Sequence, residues 1–149
     1  MIGLLQRVRH ASVEIQGKTV ASIGRGLLVF VGIERGDTET QADRLLQRVL
    51  AYRVFPDEAG RMNLDLRETG GGLLLVPQFT LPADTRRGNR PSFTPAASPQ
   101  LGSRLFAYLL HQAGEAHTDT HSGIFAADMQ VALVNDGPVT FWLRAEPLE

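Results

Sequence analysis

Apolar residues along the chain recur with two different periods, and the alternation between them predicts the elements. Leu4 to Ile15 alternates loosely in the manner of a strand, with a break near His10-Ala11, and Gly17 marks a turn into a return strand at Thr19–Ile23. Gly24 and Gly26 then punctuate the chain before Leu27–Ile33, a continuous apolar run that reads as a buried strand. Thr38 or Asp37 can cap a helix running to about Tyr52, in which Ala42, Leu45, Leu46, Val49 and Leu50 keep helical spacing. Arg61–Arg67 is polar and suits a short edge strand, Gly70-Gly71-Gly72 breaks it, and Leu73–Phe79 is the next apolar strand.

The stretch from Pro82 to Pro99 holds four prolines and a glycine and is read as loop. A loop of that length inside a compact domain is usually functional or mobile. Ser98-Pro99 is a helix start with proline at the first helical position. Leu101, Leu105 and Leu109 form one face of that helix, and Gly114 is its expected end. Ala116–His121 alternates weakly. Met129–Val134 and Val139–Arg144 alternate clearly and are joined by Asn135-Asp136-Gly137-Pro138. The order is strands, helix, strand, helix, strands. It predicts an α+β fold: a curled, barrel-like sheet, mixed or antiparallel, with two main helices on one side.

Length and composition narrow the class. A chain of 149 residues, 43% hydrophobic and 21% charged, can bury a full core as one domain spanning 1–149. No apolar run reaches the ~20 residues that span a bilayer, and the opening residues do not read as a secretory signal, so a cytoplasmic location is expected. The lack of cysteine removes disulfides, thiol nucleophiles and cysteine zinc sites. A net charge of −1 means that any RNA contact must come from a local patch. Arg86, Arg87 and Arg90 in the long loop are one candidate, although a general preference for arginine over lysine explains them equally well.

Few residues suggest chemistry on their own. Thr80 follows an apolar strand, but no Thr-His-Asp pattern supports it as a nucleophile, and it could as well bond the turn. Backbone N–H groups near Gln78-Phe79-Thr80 could face an oxyanion. His117 and His121 would share a strand face with Asp119 between them, yet no third strong ligand accompanies them, and no metal or other cofactor is expected. Gly70-Gly71-Gly72 lacks the lysine of a P-loop. Asp136-Gly137 between two strands reads first as a hairpin turn. The following Pro138 is less routine: Gly-Pro adopts the cis isomer readily, and a cis bond points two successive carbonyls the same way, making a backbone fork.

Taken together, Gln6-Arg7-Val8, Ala11-Ser12-Val13, Met62-Asn63-Leu64, Gln78-Phe79-Thr80-Leu81, Gly88 to Phe93, Ala127-Asp128-Met129 and Asn135 to Thr140 resemble, in order and spacing, the signatures of the D-aminoacyl-tRNA deacylase family. The likeness runs from Met1 to about Leu143. It implies a trans-editing hydrolase that cleaves the ester of D-aminoacyl-tRNA, and of mischarged glycyl-tRNA. It also implies a homodimer of curled sheets with each site at the interface.

In such a protein Gly137-Pro138 would be cis and enter the partner's site, held by Arg7, with Met129 nearby. Its carbonyls would collide with an L side chain and admit D-residues or glycine, which is selection by exclusion. Gln78, Phe79 and Thr80 would line the carbonyl and the terminal adenosine. The resemblance favours a water helped by the ribose 2′-OH over Thr80 as attacking group. Pro77 departs from the serine usual in the family. A sister branch found in animals carries proline there and prefers misacylated L-alanyl-tRNA. The rival readings are a non-catalytic tRNA-binding module gripping through Arg86, Arg87 and Arg90, and a purely structural dimer.

Overall fold

The computed structural model describes residues 1–147. Eight strands and three helices follow in chain order: β1 (Ile2–Ile15), β2 (Lys18–Ile23), β3 (Gly26–Gly32), α1 (Glu39–Ala51), β4 (Phe55–Pro56), β5 (Met62–Leu64), α2 (Leu66–Thr69), β6 (Gly72–Pro77), α3 (Pro99–Ala116), β7 (Thr120–Ser122) and β8 (Gln130–Arg144).

The long strand β1 organises the sheet. One edge pairs antiparallel with β3 along Ile2–Val8 and with β2 along Ala11–Ile15, while the other edge pairs with β8 over nearly its whole length. Beyond β3 the pairing turns parallel, to β6 and then to β7. Parallel neighbours need crossovers, and α1 and α3 lie in those two connections. The curled, mixed α+β architecture expected from the hydrophobic pattern is therefore present, with α2 as an additional single turn.

The apolar runs at β3 and β6 are continuous because both faces of these strands are buried. Leu27, Val29, Val31, Leu73 and Leu75 pack with Leu45, Val49, Leu105 and Leu109 of the helices. Leu28, Leu74 and Val76 face the other way, against Val8, Ala11, Val13, Ala21 and Ile23 inside the curl. The two parallel strands meet closely at their starts: a Cβ on Gly26 would lie 1.9 Å from the Gly72 carbonyl oxygen. Thr38 caps α1 in a full capping box with Gln41, and Ser98 caps α3 with Pro99 in its first turn.

Three local expectations change, and a fourth takes a definite form: the break near His10-Ala11 in β1 is a bulge, in which Val8 pairs with Asn135 and His10 with Val134, leaving Arg9 without an opposite residue. Such an extra residue exchanges the faces of the strand, so Leu5 belongs to the helix-side core while Ala11 and Val13 belong to the inner one. α3 runs past Gly114 to Ala116, because Gly114 keeps helical geometry and His117 takes the cap. β6 ends at Pro77, two residues before Phe79. The segment Asn135–Pro138 is no hairpin: residues on both sides of it pair with the same strand, Gln6 with Thr140 and Val8 with Asn135. The chain makes an outfold from one continuous ladder and returns to it.

Candidate active site

A mostly apolar cleft of about 420 Å³ opens where β3 and β6 end. Val31, Ile33 and Pro77 line it from the strand ends, and Ala97, Ser98, Pro99 and Gly102 from the start of α3. Gln78, Phe79 and Phe93 line it from the loops, and Phe125 and Ala126 from the segment after β7. Phe79 and Phe93 stand with ring centroids 5.4 Å apart, and both are well exposed. Two exposed aromatic rings at the mouth of a cleft offer a stacking surface for a planar base. Gly102 makes room on α3: a Cβ there would come within 3.1 Å of the Phe125 ring.

The strand ladder places Gln78 and Pro77. The Gln78 N–H still donates to the Val31 carbonyl at 2.8 Å, so β3 holds this residue at the cleft edge. Successive residues of a strand direct their N–H groups to opposite edges, so Pro77 faces the β7 side, where β7 has already ended at Ser122. Proline is tolerated there because no β7 carbonyl remains at that position to accept an N–H. The Gln78 side-chain amide donates to the Thr80 hydroxyl oxygen. Among the described residues no histidine or carboxylate bonds that hydroxyl, and an amide N–H cannot take its proton.

Gly137-Pro138 lies elsewhere, in the outfold of β8, and its peptide bond is cis. Opposite the four residues 136–139 stands a single residue of β1, Arg7. Its guanidinium, only 13% exposed, donates from Nε to the Asp136 carbonyl at 2.9 Å and from Nη1 to the Val54 carbonyl at 2.7 Å. The Asn135 side chain closes the outfold from the other side: its amide oxygen accepts from the Val139 N–H at 2.8 Å, and Nδ2 donates to the Val139 carbonyl and to Thr140 Oγ1. Gly137 has φ +150°, and a Cβ there would meet Val139 Cγ2 at 2.6 Å. Two side chains thus hold a short piece of backbone away from the sheet, and among the described residues that line the cleft none comes from this outfold.

With this geometry in place, the comparisons identify the lineage. A family model described as D-Tyr-tRNA(Tyr) deacylase matches residues 4–144. The chain belongs to the D-Tyr-tRNA(Tyr) deacylase family. It is 64% identical over 147 residues to a D-aminoacyl-tRNA deacylase of Alkalilimnicola ehrlichii, covering 99% of this chain and 98% of that one. It is 63% identical over 147 residues to the same enzyme of Thioalkalivibrio sulfidiphilus, covering 99% of each. Among solved structures it is similar to a c-Myc DNA unwinding element binding protein, with TM-score 0.94, 34% identity and 98% and 99% of the two chains covered. It shares its fold with a probable eukaryotic D-amino acid tRNA deacylase, with TM-score 0.84 and 17% identity over 97% and 98% of the chains. The activity of the deacylase is hydrolysis of D-aminoacyl-tRNA.

Sequence reasoning and structure agree unevenly on which residues sit together in the deacylase. Gln78 and Phe79 line the cleft; Thr80 adjoins it through Gln78. Arg7, Gly137 and Pro138 form the separate outfold. Met129 packs against the inner core and close to Gly123. In the long loop Arg86 is spoken for, since Nε and Nη2 clasp the Asp84 carboxylate at 2.9 and 2.8 Å and hold that carboxyl down at about 2. Among the described residues Arg87 and Arg90 form no ion pair. His117 and His121 do not share a strand face: His117 caps α3 and bonds the Gly71 carbonyl, and His121 pairs with Asp119. The walls contributed by Ala97 and Gly102 had no signal in the sequence beyond the proline that starts α3. No helix among the described residues is long and apolar enough to cross a membrane.

Proposed function

We propose that the deacylase selects its substrate by exclusion and hydrolyses it without a side-chain nucleophile. The observation that carries this reading is the Gly137-Pro138 outfold, braced by Arg7 and Asn135 and displaced from the cleft of its own chain. A braced backbone segment with no role in its own cleft suits a second copy's cleft. In the homodimer so formed, the Gly137 and Pro138 carbonyls stand over the α-carbon of the aminoacyl group. A hydrogen there fits and an L side chain does not, so D-residues and mischarged glycyl-tRNA are substrates while L-aminoacyl-tRNA is refused.

In the cleft, the terminal adenine stacks at Phe79 and Phe93, and the ester carbonyl lies at the Gln78-Phe79-Thr80 turn. Backbone N–H groups of that turn stabilise the oxyanion. Attack is by water, helped by the ribose 2′-OH, which also explains a requirement for RNA. The hydrogen bond that Thr80 accepts from Gln78 supports a positioning role for its hydroxyl. Met129 supports the cleft from behind, and the long loop contributes positive charge toward the acceptor end through Arg87 and Arg90, with Arg86 paired to Asp84. One domain carries all of this, and the enzyme works in the cytoplasm, where charged tRNA is.

A second reading is favoured by one residue. Pro77 at the cleft wall matches the branch that prefers misacylated L-alanyl-tRNA. Single-turnover hydrolysis of D-Tyr-tRNA, L-Tyr-tRNA, Gly-tRNA and L-Ala-tRNA, with sedimentation analysis of the enzyme, separates the two. Cleavage of the D-tyrosyl and glycyl esters by a dimer, with the L esters spared, is the expected pattern. Preference for the L-alanyl ester, or full activity as a monomer, would overturn it.

A further inference from the structure

Beside the outfold lies a concentration of positive charge that the reaction described above leaves unused. Three guanidiniums converge on one carboxylate: Nε of Arg7, Nε of Arg9 and Nη1 of Arg25 lie 3.8, 3.9 and 3.7 Å from the Asp136 carboxylate oxygens. One negative charge against three positive ones leaves a surplus. Arg7 is largely buried and spends its donors on the Asp136 and Val54 carbonyls, whereas the Arg9 and Arg25 side chains are 64% and 73% exposed. Neither has another ion-pair partner among the described residues. Their contacts to Asp136 are too long for good hydrogen bonds, so their N–H groups remain free to bond an incoming acceptor.

The sequence places these two side chains by different devices. Arg9 is the extra residue of the β1 bulge, and a bulge re-aims a side chain out of the regular alternation. Arg25 sits in the turn between β2 and β3. Both point at the residue directly before Gly137. On the long loop, by contrast, Arg86 is already neutralised by Asp84.

We propose that Arg9 and Arg25 form a phosphate-binding patch for the single-stranded 3′ end of the aminoacyl-tRNA. The inference rests on the reading that the outfold addresses the aminoacyl ester. That ester sits on the last ribose, and the preceding phosphates leave the site one nucleotide at a time. Planar guanidiniums clasp phosphate oxygens in pairs and release condensed counterions on doing so. A patch fixed to the same strand segment as the outfold sets the distance between the gripped phosphate and the excluded α-substituent. Arg9 and Arg25 are thus positioning residues, engaged only when the substrate carries its phosphates.

The test compares Arg9→Gln, Arg25→Gln and the double variant on two substrates, D-Tyr-tRNA and D-tyrosyl-adenosine, which has the ester and the base but no phosphate. Each single variant should raise KM for the tRNA about three- to tenfold with kcat unchanged, and leave the adenosine ester untouched. Each lost phosphate contact should also flatten the salt dependence of uncharged tRNA binding by ~0.7 in log–log slope. Arg→Lys at either position should keep most of that slope. Equal losses on both substrates would show that the arginines only brace the outfold, and unchanged tRNA kinetics with an unchanged slope would show no phosphate contact; either overturns the proposal. Should the exclusion reading itself fail, the D:L preference of the wild type would be absent, while the salt slope still reports on the patch.

Discussion

Arg7→Ala separates the work of the outfold from that of the cleft. The substitution removes two hydrogen bonds from a charged donor, at 2.9 and 2.7 Å to the Asp136 and Val54 carbonyls, from a site that is 13% exposed. Hydrogen bonds of this kind contribute ~1.5–3 kcal/mol each, and the site is open enough for water to recover part of that. A net loss of about 3 kcal/mol follows, concentrated on one segment. The flanking pairs Gln6–Thr140 and Val8–Asn135 do not involve the Arg7 side chain, so the ladder persists. Three kcal/mol is about a hundredfold in the population of the braced conformation. Under the proposed exclusion, rejection of L-residues requires that conformation at every encounter, whereas hydrolysis of a D-ester requires it less.

The D:L ratio of kcat/KM, measured on matched Tyr-tRNA pairs, should therefore fall ten- to a hundredfold, mainly through a gain on the L substrate. Arg7→Lys should recover little, since a single ammonium cannot reproduce the planar fork between two carbonyls. Thermal unfolding recorded alongside reports whether the sheet is intact. An Arg7→Ala enzyme that loses activity equally on both enantiomers, with an unchanged ratio, would refute the reasoning.

Other outcomes follow from the same geometry. Thr80→Ala should stay within about tenfold of the parent rate, whereas removing a true nucleophile costs on the order of 10⁶; burst kinetics on D-Tyr-tRNA decides. Gly137→Ala introduces a Cβ 2.6 Å from Val139 Cγ2 at φ +150° and should erode the D:L ratio with ~1–3 kcal/mol of local strain, seen as a modest drop in Tm. Glu34 and Asp37 both bond the buried Met1 ammonium, at 2.9 and 2.8 Å. Burial opposes ionisation of Glu34, but hydrogen bonds from Arg144 and the ammonium outweigh it and hold the carboxyl below its ordinary 4.5. Its contribution is then complete above pH 4.5 and fades as pH falls through the lowered value. Asp37 runs the other way, because burial raises it. Glu34→Gln should cost ~1–3 kcal/mol at neutral pH and a smaller amount below pH 4, a difference that denaturant titrations at several pH values measure.

Much of the architecture was legible because it rests on periodicity. The runs at Leu27–Ile33 and Leu73–Phe79 announced apolar strands, and Thr38 and Ser98 announced helix starts. The errors came where local chemistry permits two outcomes. Asp136-Gly137 suits a hairpin as well as an outfold, and only the pairing of both flanks with one β1 strand distinguishes them. His117 alternates with His121 on paper, yet α3 continues through Gly114 and takes His117 as its cap. The motif residues Gln78 and Phe79 were found because they adjoin a strand end, while Ala97 and Gly102 became part of the cleft only through tertiary packing. Arg86 looked like a free cation until Asp84, two residues before it, folded back onto it.

The way β8 leaves β1 and rejoins it has a bearing on how such enzymes change. Because the ladder resumes against the same strand on either side of residues 136–139, with its register shifted, the excursion can vary while the flanking pairs that carry the scaffold stay in place. Under the proposed exclusion, variation confined to those four positions and to the guanidinium beneath them would retune which acyl groups are turned away, while the hydrophobic layers go on folding as before. On the proposed reading, stereochemical preference is a detachable property of one small segment.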